Sequence, residues 1–571
     1  MPAPDNALIV QSDGSILLEI NAPRAAQARD ALAPFAELVK SPEHVHTYRI
    51  TPLSVWNACA TGLTSERMLA ALREHARYPV PSNVEREILE LAARYGCIVI
   101  IRDADGLVCR CEDPTTAERI ARDREAGRYL TERIASTSFR IAPTARGVLK
   151  QALIGVGYPA EDLAGYVVGE PLDLELRACT PSGAPFQVRD YQRQAAEAFH
   201  VAGSERGGSG VIVLPCGAGK TIVGIVAMRL VRQTTLVLTT SLSSVSQWRR
   251  ELLDKTSLRR EDIAEYTGER KSSGPVTLST YQMLTWRADR VGEFPHLELF
   301  RARPWGLIIY DEVHLLPAAV FRATADLQAR RRLGLTATLV REDGREGDVF
   351  ALIGPKRFDM PWKDLEQQAW IAAAACIELR IPMSAERRME YALAGRRAQF
   401  RVAAENPAKT LHLCRLLRQY PQGRSLVIGE YIDQLEAIAK EIGAPLVAGK
   451  TPQPERERIY AAFRKGDVRC IVLSKVGNFA IDLPDADVLI QVSGAFGSRQ
   501  EEAQRLGRIL RPKRDGRAAH FFTLVSRDTR EEDFAHHRKL FLTEQGYSYE
   551  VRLAREAFQT GPTPDADLEV A

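Results

Sequence analysis

At 571 residues, with 45% hydrophobic and 26% charged residues, the chain is long enough for roughly three or four domains with cores of their own, and its composition excludes global disorder. A net charge of +4, from 77 basic and 73 acidic residues, excludes a uniformly basic nucleic-acid binder, so any basic surface is local. Nine cysteines without a repeated CxxC spacing point to neither a disulfide framework nor a structural zinc or iron–sulfur cluster, and the lack of a signal segment or a ~20-residue apolar run points to a cytoplasmic protein with no membrane contact.

Residues 1–100 open with an alternating segment, Ala7 to Ile20, that reads as a strand hairpin turning at Asp13-Gly14. Leu32, Phe35, Leu38 and Val39 fall on one helical face and Val84, Ile88, Leu91 and Ala92 on another, while Thr51-Pro52 is a helix start; an α-rich domain follows. In residues 101–180, strand-like runs (Cys97 to Arg102, Gly106 to Cys111) alternate with helical ones (Thr115 to Ala126, Ala145 to Gly155), as in a small α+β domain. Pro181, Gly183 and Pro185 then punctuate the chain.

From Val188 the pattern changes. VRDYQRQAAEAF presents Gln192, with Arg189 beside it, just ahead of an apolar strand, where an amide is suited to reading an adenine edge. The strand opens VIVLPCGAGKT, Val211 to Thr221: an apolar run, a glycine-rich loop (Gly217, Ala218, Gly219), then Lys220 and Thr221 at a helix start. Backbone N–H groups and the helix N-terminus cradle polyphosphate in such a loop, Lys220 supplies a point charge and Thr221 a Mg²⁺ ligand. Leu214 stands where the strict pattern has Gly, and a loop of this kind taken alone is also compatible with a tight turn.

Strands and helices then alternate as a doubly wound sheet requires: Thr235 to Thr239, a helix from Val245 containing Trp248, and Val276 to Ser279. Hydroxyls at Thr239, Ser241, Ser279 and Thr280 end these strands, as phosphate contacts or as ordinary caps. LIIYDEVH, Leu307 to His314, delivers two adjacent carboxylates to a strand end: Asp311 for the Mg²⁺ hydration shell, Glu312 to orient and deprotonate water. His314 has no second ligand at metal spacing and is read as coupling the site to its neighbours by hydrogen bonding. LGLTAT, Leu333 to Thr338, ends in Thr336 and Thr338 and leads into Arg341, Glu342 and Asp343.

Residues from Phe186 to about Leu553 resemble the XPB helicases of superfamily 2. The segments VIVLPCGAGKT, LIIYDEVHLLPA, LGLTATLVRED, LIGPK, LSKVGNFAIDLP, DVLIQVSG and GSRQEEAQRLGRILRPK carry the resemblance, and the last, with the Arg-Glu-Asp triplet, is more specific than a bare phosphate loop. It implies two RecA-like lobes, residues 181–365 and 366–556, that use ATP and Mg²⁺ to unwind DNA in the 3′ to 5′ direction or to translocate on duplex DNA, in repair or transcription-linked repair. A partner nuclease or a larger repair or transcription complex is implied as well.

Site residues follow from the same resemblance. Arg341, Glu342 and Asp343 match the triplet used near the strand-separation fork, and Asp482, with Gly477, the loop that touches DNA and nucleotide. Residues 384–410 match a thumb-like insertion in which Arg396, Arg397 and Phe400 suit phosphate contacts and base stacking. In the helix from Ser498 to Leu510, Gln504, Arg505 and Arg508 share a face, with Arg511 just beyond; Arg508 and Arg511 are candidates for neutralising charge on the transferred phosphoryl group. Residues 557–571 read as a disordered tail. Two other functions fit the chain at this level: a nucleotide-dependent scaffold that separates no strands, and the motor subunit of a restriction-type nuclease. The chain shows no carboxylate–lysine nuclease cluster.

Overall fold

The computed structural model of the chain describes residues 3–554 except 41–43, 143–144, 165–167, 205–206, 216, 288–294, 298, 300–302, 317–330, 338–345, 361–364, 367, 369, 373, 475–485, 495–505, 508–517, 545–546 and 548. It divides into two compact units, Met1–Leu214 with Gly219–Met360, and Pro361–Ala571 with the loop segment Pro215–Ala218. Among the described residues no helix is long and apolar enough to cross a membrane.

Among the described residues the first unit contains three sheets. At its start, Leu8–Val10, Ser15–Glu19, Val45–Arg49 and Glu37–Lys40 pair in that order as an antiparallel sheet, with the first hairpin turning through Gly14 at φ 79°. Thr51 and Ser54 cap each other's backbone N–H groups to start the helix Pro52–Ala60. Its Trp56 is buried, donating its indole N–H to Leu91 O at 3.0 Å. The helical face expected through Leu38 and Val39 is not formed. The helix stops at Leu32, because Pro34 has no N–H to continue it, and Glu37–Lys40 becomes a strand on the edge offered by Val45–Arg49.

A second sheet, in the order Leu130–Ala135, Ser138–Ile141, Gly106–Cys111, Ile98–Asp103 and Ala160–Asp162, packs with the helix Arg146–Val156 over a core that includes Cys109, Cys111, Phe139 and Leu149. Both thiols point inward because they lie two apart on one strand.

The third sheet is parallel throughout, in the order Ile263–Tyr266, Val276–Thr280, Thr235–Thr239, Leu307–Asp311, Arg331–Thr336, Ser209–Val213 and Lys356–Asp359. Its central strands are apolar along nearly their whole length because both faces are covered. Strand order reverses beside Arg331–Thr336, and at such a reversal the loops leaving the C-terminal ends of the strands frame a crevice for ligand. The edge strand Lys356–Asp359 carries no strand signal of its own in the sequence. It is held by the first domain: Asn57 Oδ1 accepts from Lys356 N at 3.0 Å, and Arg357 Nη1 donates to Ala60 O at 3.0 Å.

A buried ion cluster joins the second sheet to the third. Asp162 accepts from Arg146 Nε at 2.9 Å and Lys150 Nζ at 3.1 Å, and Arg332, on the strand Arg331–Thr336, stands 3.9 Å away. All four side chains are buried. Burial pushes the Asp162 carboxyl up, but Lys150, Arg146 and Arg332 outweigh it and hold the group well below the usual carboxylate range. Lys150 is lowered to about 8, by burial first and by Arg332 and Arg146 next, against the pull of Asp162.

The second unit repeats the parallel architecture in the order Leu446–Val447, Cys470–Leu473, Ser425–Ile428, Val488–Gln491, Ala519–Ser526, Ala374–Ile381 and Tyr549–Leu553. Two helices, Ala385–Leu393 and Arg396–Ala404, follow the strand Ala374–Ile381. On the next helix, Ala408–Gln419, Lys409 Nζ donates to both carboxylate oxygens of Glu531 at 2.8 Å and to Val492 O at 2.9 Å, with neither side chain exposed.

Candidate active site

Three neighbouring strands of the first unit carry the site. Register pairs Val213 with Thr336 and Asp311 with Leu335, and Leu214 N donates to Thr336 O at 2.9 Å. The chain segments that follow Ser209–Val213 and Leu307–Asp311 therefore leave the sheet on either side of Arg331–Thr336.

The phosphate loop turns through Gly217 at φ 84° and Gly219 at φ 81°, a region that glycine enters without strain, and Ala218 between them is buried. Gly219 caps the helix Lys220–Val231, which begins with Lys220 and Thr221. A Cβ on Gly219 would meet Gln192 Nε2 at 2.5 Å, so any other residue there would strain the backbone and push the Gln192 amide aside. Gly219→Ala is expected to introduce about 1–2 kcal/mol of backbone strain and to lower ATP affinity about tenfold, read by equilibrium nucleotide binding. Unchanged affinity would show that the loop relaxes at no cost.

Gln192 is buried on the helix Asp190–His200. Its Oε1 accepts from Arg189 N at 3.0 Å, capping its own helix, so it is the amide Nε2 that faces the phosphate loop. Arg189 Nη1 donates to Tyr191 Oη at 3.0 Å.

Across the strand Arg331–Thr336, Lys220 Nζ lies 3.2 Å from Glu312 Oε1. Glu312 occupies the left-handed region at φ 52°, a conformation that costs a non-glycine residue energy and recurs at functional sites. Its Oε2 is buried without a hydrogen bond, 3.5 Å from His314 Nδ1. His314 Nδ1 is also 2.6 Å from Thr336 Oγ1, which ties the acidic segment to the end of the next strand.

The two carboxyls differ electrostatically. Burial, then the Glu312 charge, raises Asp311 to about 6 despite a hydrogen bond from Trp248 Nε1 at 2.9 Å. Burial also pushes Glu312 up, but Lys220 and His314 outweigh it and hold it below its ordinary value. Glu312 is thus the carboxylate that keeps its charge to lower pH, placed to orient water and take its proton, while Asp311 is a buried carboxylate whose charge a cation would stabilise. With the Thr221 hydroxyl it supplies the oxygen donors a hard divalent cation takes, so the donor set fits such an ion.

Other expected residues are placed differently. Phe400 is buried, edge-to-face with Phe534 at 5.2 Å between ring centroids, so its ring is packing in the second unit and is not open to a base. Arg396 is exposed at the first turn of its helix, and the side chain of Arg397 lies outside the described residues. The hydroxyls of Thr239, Ser279 and Thr280 are buried and engaged with nearby backbone: Thr239 donates to Ser241 O, Ser279 to Tyr266 O, and Thr280 accepts from Met283 N. They are caps, as is Ser241, which accepts from Ser244 N. Thr338, the triplet Arg341, Glu342 and Asp343, and Asp482, Gln504, Arg508 and Arg511 lie outside the described residues, as does the tail 557–571. The Asp311–Trp248 bond was not legible in the sequence. Val245, Trp248 and Leu252 form an ordinary buried helical stripe, and nothing in that spacing distinguishes an indole that reaches a carboxylate.

A phosphate loop, a lysine, and an adjacent Asp-Glu pair on the C-terminal rim of a RecA-like parallel sheet define the class of phosphate-loop nucleoside triphosphatases. Sequence comparisons narrow the class. Residues 365–563 match the ERCC3/RAD25/XPB C-terminal helicase family, residues 185–341 the type III restriction enzyme res subunit family, and residues 8–135 a helicase conserved C-terminal domain. The chain is 52% identical to the DNA 3′-5′ helicase XPB of Kineococcus radiotolerans, covering 99% of both chains, and 52% identical to that of Mycobacterium tuberculosis, covering 96% and 98%. It is 35% identical to the general transcription and DNA repair factor IIH helicase/translocase subunit XPB/SSL2 of Saccharomyces cerevisiae, over 95% of this chain and 71% of that one. The chain belongs to the XPB family of DNA helicases.

Proposed function

We propose that the chain is an ATP-driven DNA motor that opens DNA in the 3′ to 5′ direction or translocates on duplex, in repair or transcription-linked repair. The observation that carries the reading is the approach of Lys220 to Glu312 beside Asp311, on a chain related over its full length to XPB helicases. Gly217 to Lys220 bind the phosphates of ATP, and Gln192, which faces that loop, reads the base with Arg189 near it in sequence. Glu312, kept anionic by Lys220, orients the attacking water and takes its proton. Thr221 and Asp311 would hold Mg²⁺, which would supply neutralising charge for the phosphate oxygens. His314 and Thr336, with Thr338, link hydrolysis to the neighbouring segments. Asp482 touches nucleotide, Arg508 and Arg511 with Gln504 donate to the transferred phosphoryl, and Arg341, Glu342 and Asp343 act at the fork. Arg396 and Arg397 contact DNA phosphates. The motor works in the cytoplasm, at the nucleoid, with a partner nuclease or a repair or transcription assembly.

The test is ATP turnover without DNA and with single-stranded, duplex and forked DNA, followed by strand displacement on the same 3′-tailed fork. DNA-stimulated turnover with displacement is expected, and Lys220→Ala should lose both. Turnover indifferent to every DNA would favour the scaffold reading, and displacement that persists in Lys220→Ala would remove the phosphate loop from the mechanism.

A further inference from the structure

The side chain closest to Asp311 in function is a tryptophan outside the phosphate loop and the acidic pair. Trp248 sits on the helix Leu242–Lys255 and is 1% exposed; a buried indole N–H needs an acceptor, and here it is Asp311 Oδ2 at 2.9 Å. Its ring is seated on the phosphate-loop helix. A Cβ added to Gly224 would meet Trp248 Cη2 at 2.5 Å and Cζ3 at 3.3 Å, so the ring has no room to slide or turn on that side. A second group holds the Asp311 backbone: Tyr281 Oη donates to Asp311 O at 2.8 Å, from a buried ring that directly follows the strand Val276–Thr280.

We propose that Trp248 and Tyr281 are positioning residues for the metal-ligating carboxylate, gauging Asp311 against the phosphate-loop helix so that Oδ1 is presented to the divalent cation. A carboxylate free to rotate offers either oxygen in many directions. With Oδ2 taken by a fixed N–H, the peptide oxygen taken by a phenol and the carboxylate also accepting from the Glu312 backbone N–H, one rotamer is held, which is preorganisation of a ligand by its outer contacts. Through Gly224 the gauge refers Asp311 to the same helix that begins with Lys220 and Thr221, so the two halves of the cation site keep their spacing.

The inference rests on the reading of Asp311 as the metal ligand, and the experiment separates the two. A fluorescent ATP analogue is titrated onto the full chain in EDTA and again across a Mg²⁺ series, for wild type, Trp248→Phe, Tyr281→Phe and Asp311→Asn. Trp248→Phe keeps an aromatic ring and loses the N–H, and Tyr281→Phe loses only a hydroxyl. Both variants are expected to bind the analogue in EDTA within about twofold of wild type. The half-saturating Mg²⁺ for the tightened state should rise about tenfold or more in Trp248→Phe, and by a smaller factor in Tyr281→Phe. Asp311→Asn should abolish the Mg²⁺ response. Affinities that fall equally with and without Mg²⁺ would make the two residues packing only and overturn the proposal, as would an unshifted Mg²⁺ requirement. A normal Mg²⁺ response in Asp311→Asn would instead overturn the metal-ligand reading itself. If Trp248→Phe does not fold, Tyr281→Phe decides by the same criteria.

Discussion

Glu312→Gln is expected to lower ATP turnover about 10²- to 10⁴-fold while ATP still binds, the range over which a positioned general base acts. Glutamine keeps the length and an acceptor oxygen for Lys220, and it tolerates the left-handed backbone no worse than glutamate, so the loop geometry should survive. It cannot take a proton. It also removes the negative charge that, after burial, raises Asp311, so Asp311 should fall back toward its ordinary value and stay ionised at neutral pH. Single-turnover hydrolysis measured beside equilibrium ATP binding checks this directly. Wild-type turnover in the variant would take Glu312 out of the chemistry, and a parallel loss of binding would make it a structural partner of Lys220.

The second large effect lies away from the nucleotide. Asp162→Asn leaves Arg146, Lys150 and Arg332 buried around a neutral amide and is expected to destabilise the first unit by about 3–5 kcal/mol at pH 7, as breaking one side of a buried ion pair does. The pH dependence has a definite sign. Asp162 is depressed in the folded chain, so its contribution is fully present above the unfolded aspartate value near ~3.9 and is lost as pH falls below it, at up to about 1.4 kcal/mol per pH unit. The Asp162 charge by itself therefore keeps the gap between wild type and variant constant from pH 7 to about 4 and narrows it below that, while loss of its pull on Lys150 lowers that lysine further in the variant and widens the gap as pH falls from 8 toward the lowered value. Lys150 acts at the other end. Its folded value of about 8 lies below the unfolded value near ~10.4, so the unfolded chain binds more protons between them and wild-type stability from this group rises with pH across that window. Urea unfolding of both proteins at pH 7, 5 and 3 measures the gap. Equal stability at pH 7 would mean that water or other groups solvate the three cations.

The cluster also bears on how the N-terminal region serves the motor. Asp162 ends the strand Ala160–Asp162 of the second sheet, and Arg332 lies near the start of the strand that ends at Thr336 beside His314, so that sheet is seated on an element of the site. Asn57 and Ala60 hold the outer edge of the same sheet. Residues 1–180, in which the sequence shows no catalytic constellation, are thus built into the frame of the nucleotide sheet.

Local spacing determined a great deal. Val211 to Thr221 marks a strand, a loop and a helix start because an apolar run, two glycines and Lys-Thr follow one another there, and the segment Leu307 to Glu312, a strand with acids at its end, is what sets that loop apart from a tight turn. The helix start at Thr51-Pro52 and the turn at Asp13-Gly14 depend on neighbours within a few residues and are readable for that reason. Tertiary structure alone decided what depends on partners distant in sequence. It placed Leu38 and Val39 in a strand on an edge supplied later in the chain, and turned Phe400 inward onto Phe534. It gave Gln192 a cap to make and a glycine to face, brought Lys220 to Glu312, and aimed the indole of Trp248 at Asp311. A one-dimensional pattern records which residues can do chemistry and on which face they lie. Which of them meet, and which carboxylate keeps its charge, is set by burial and by charges that only folding brings within a few ångströms.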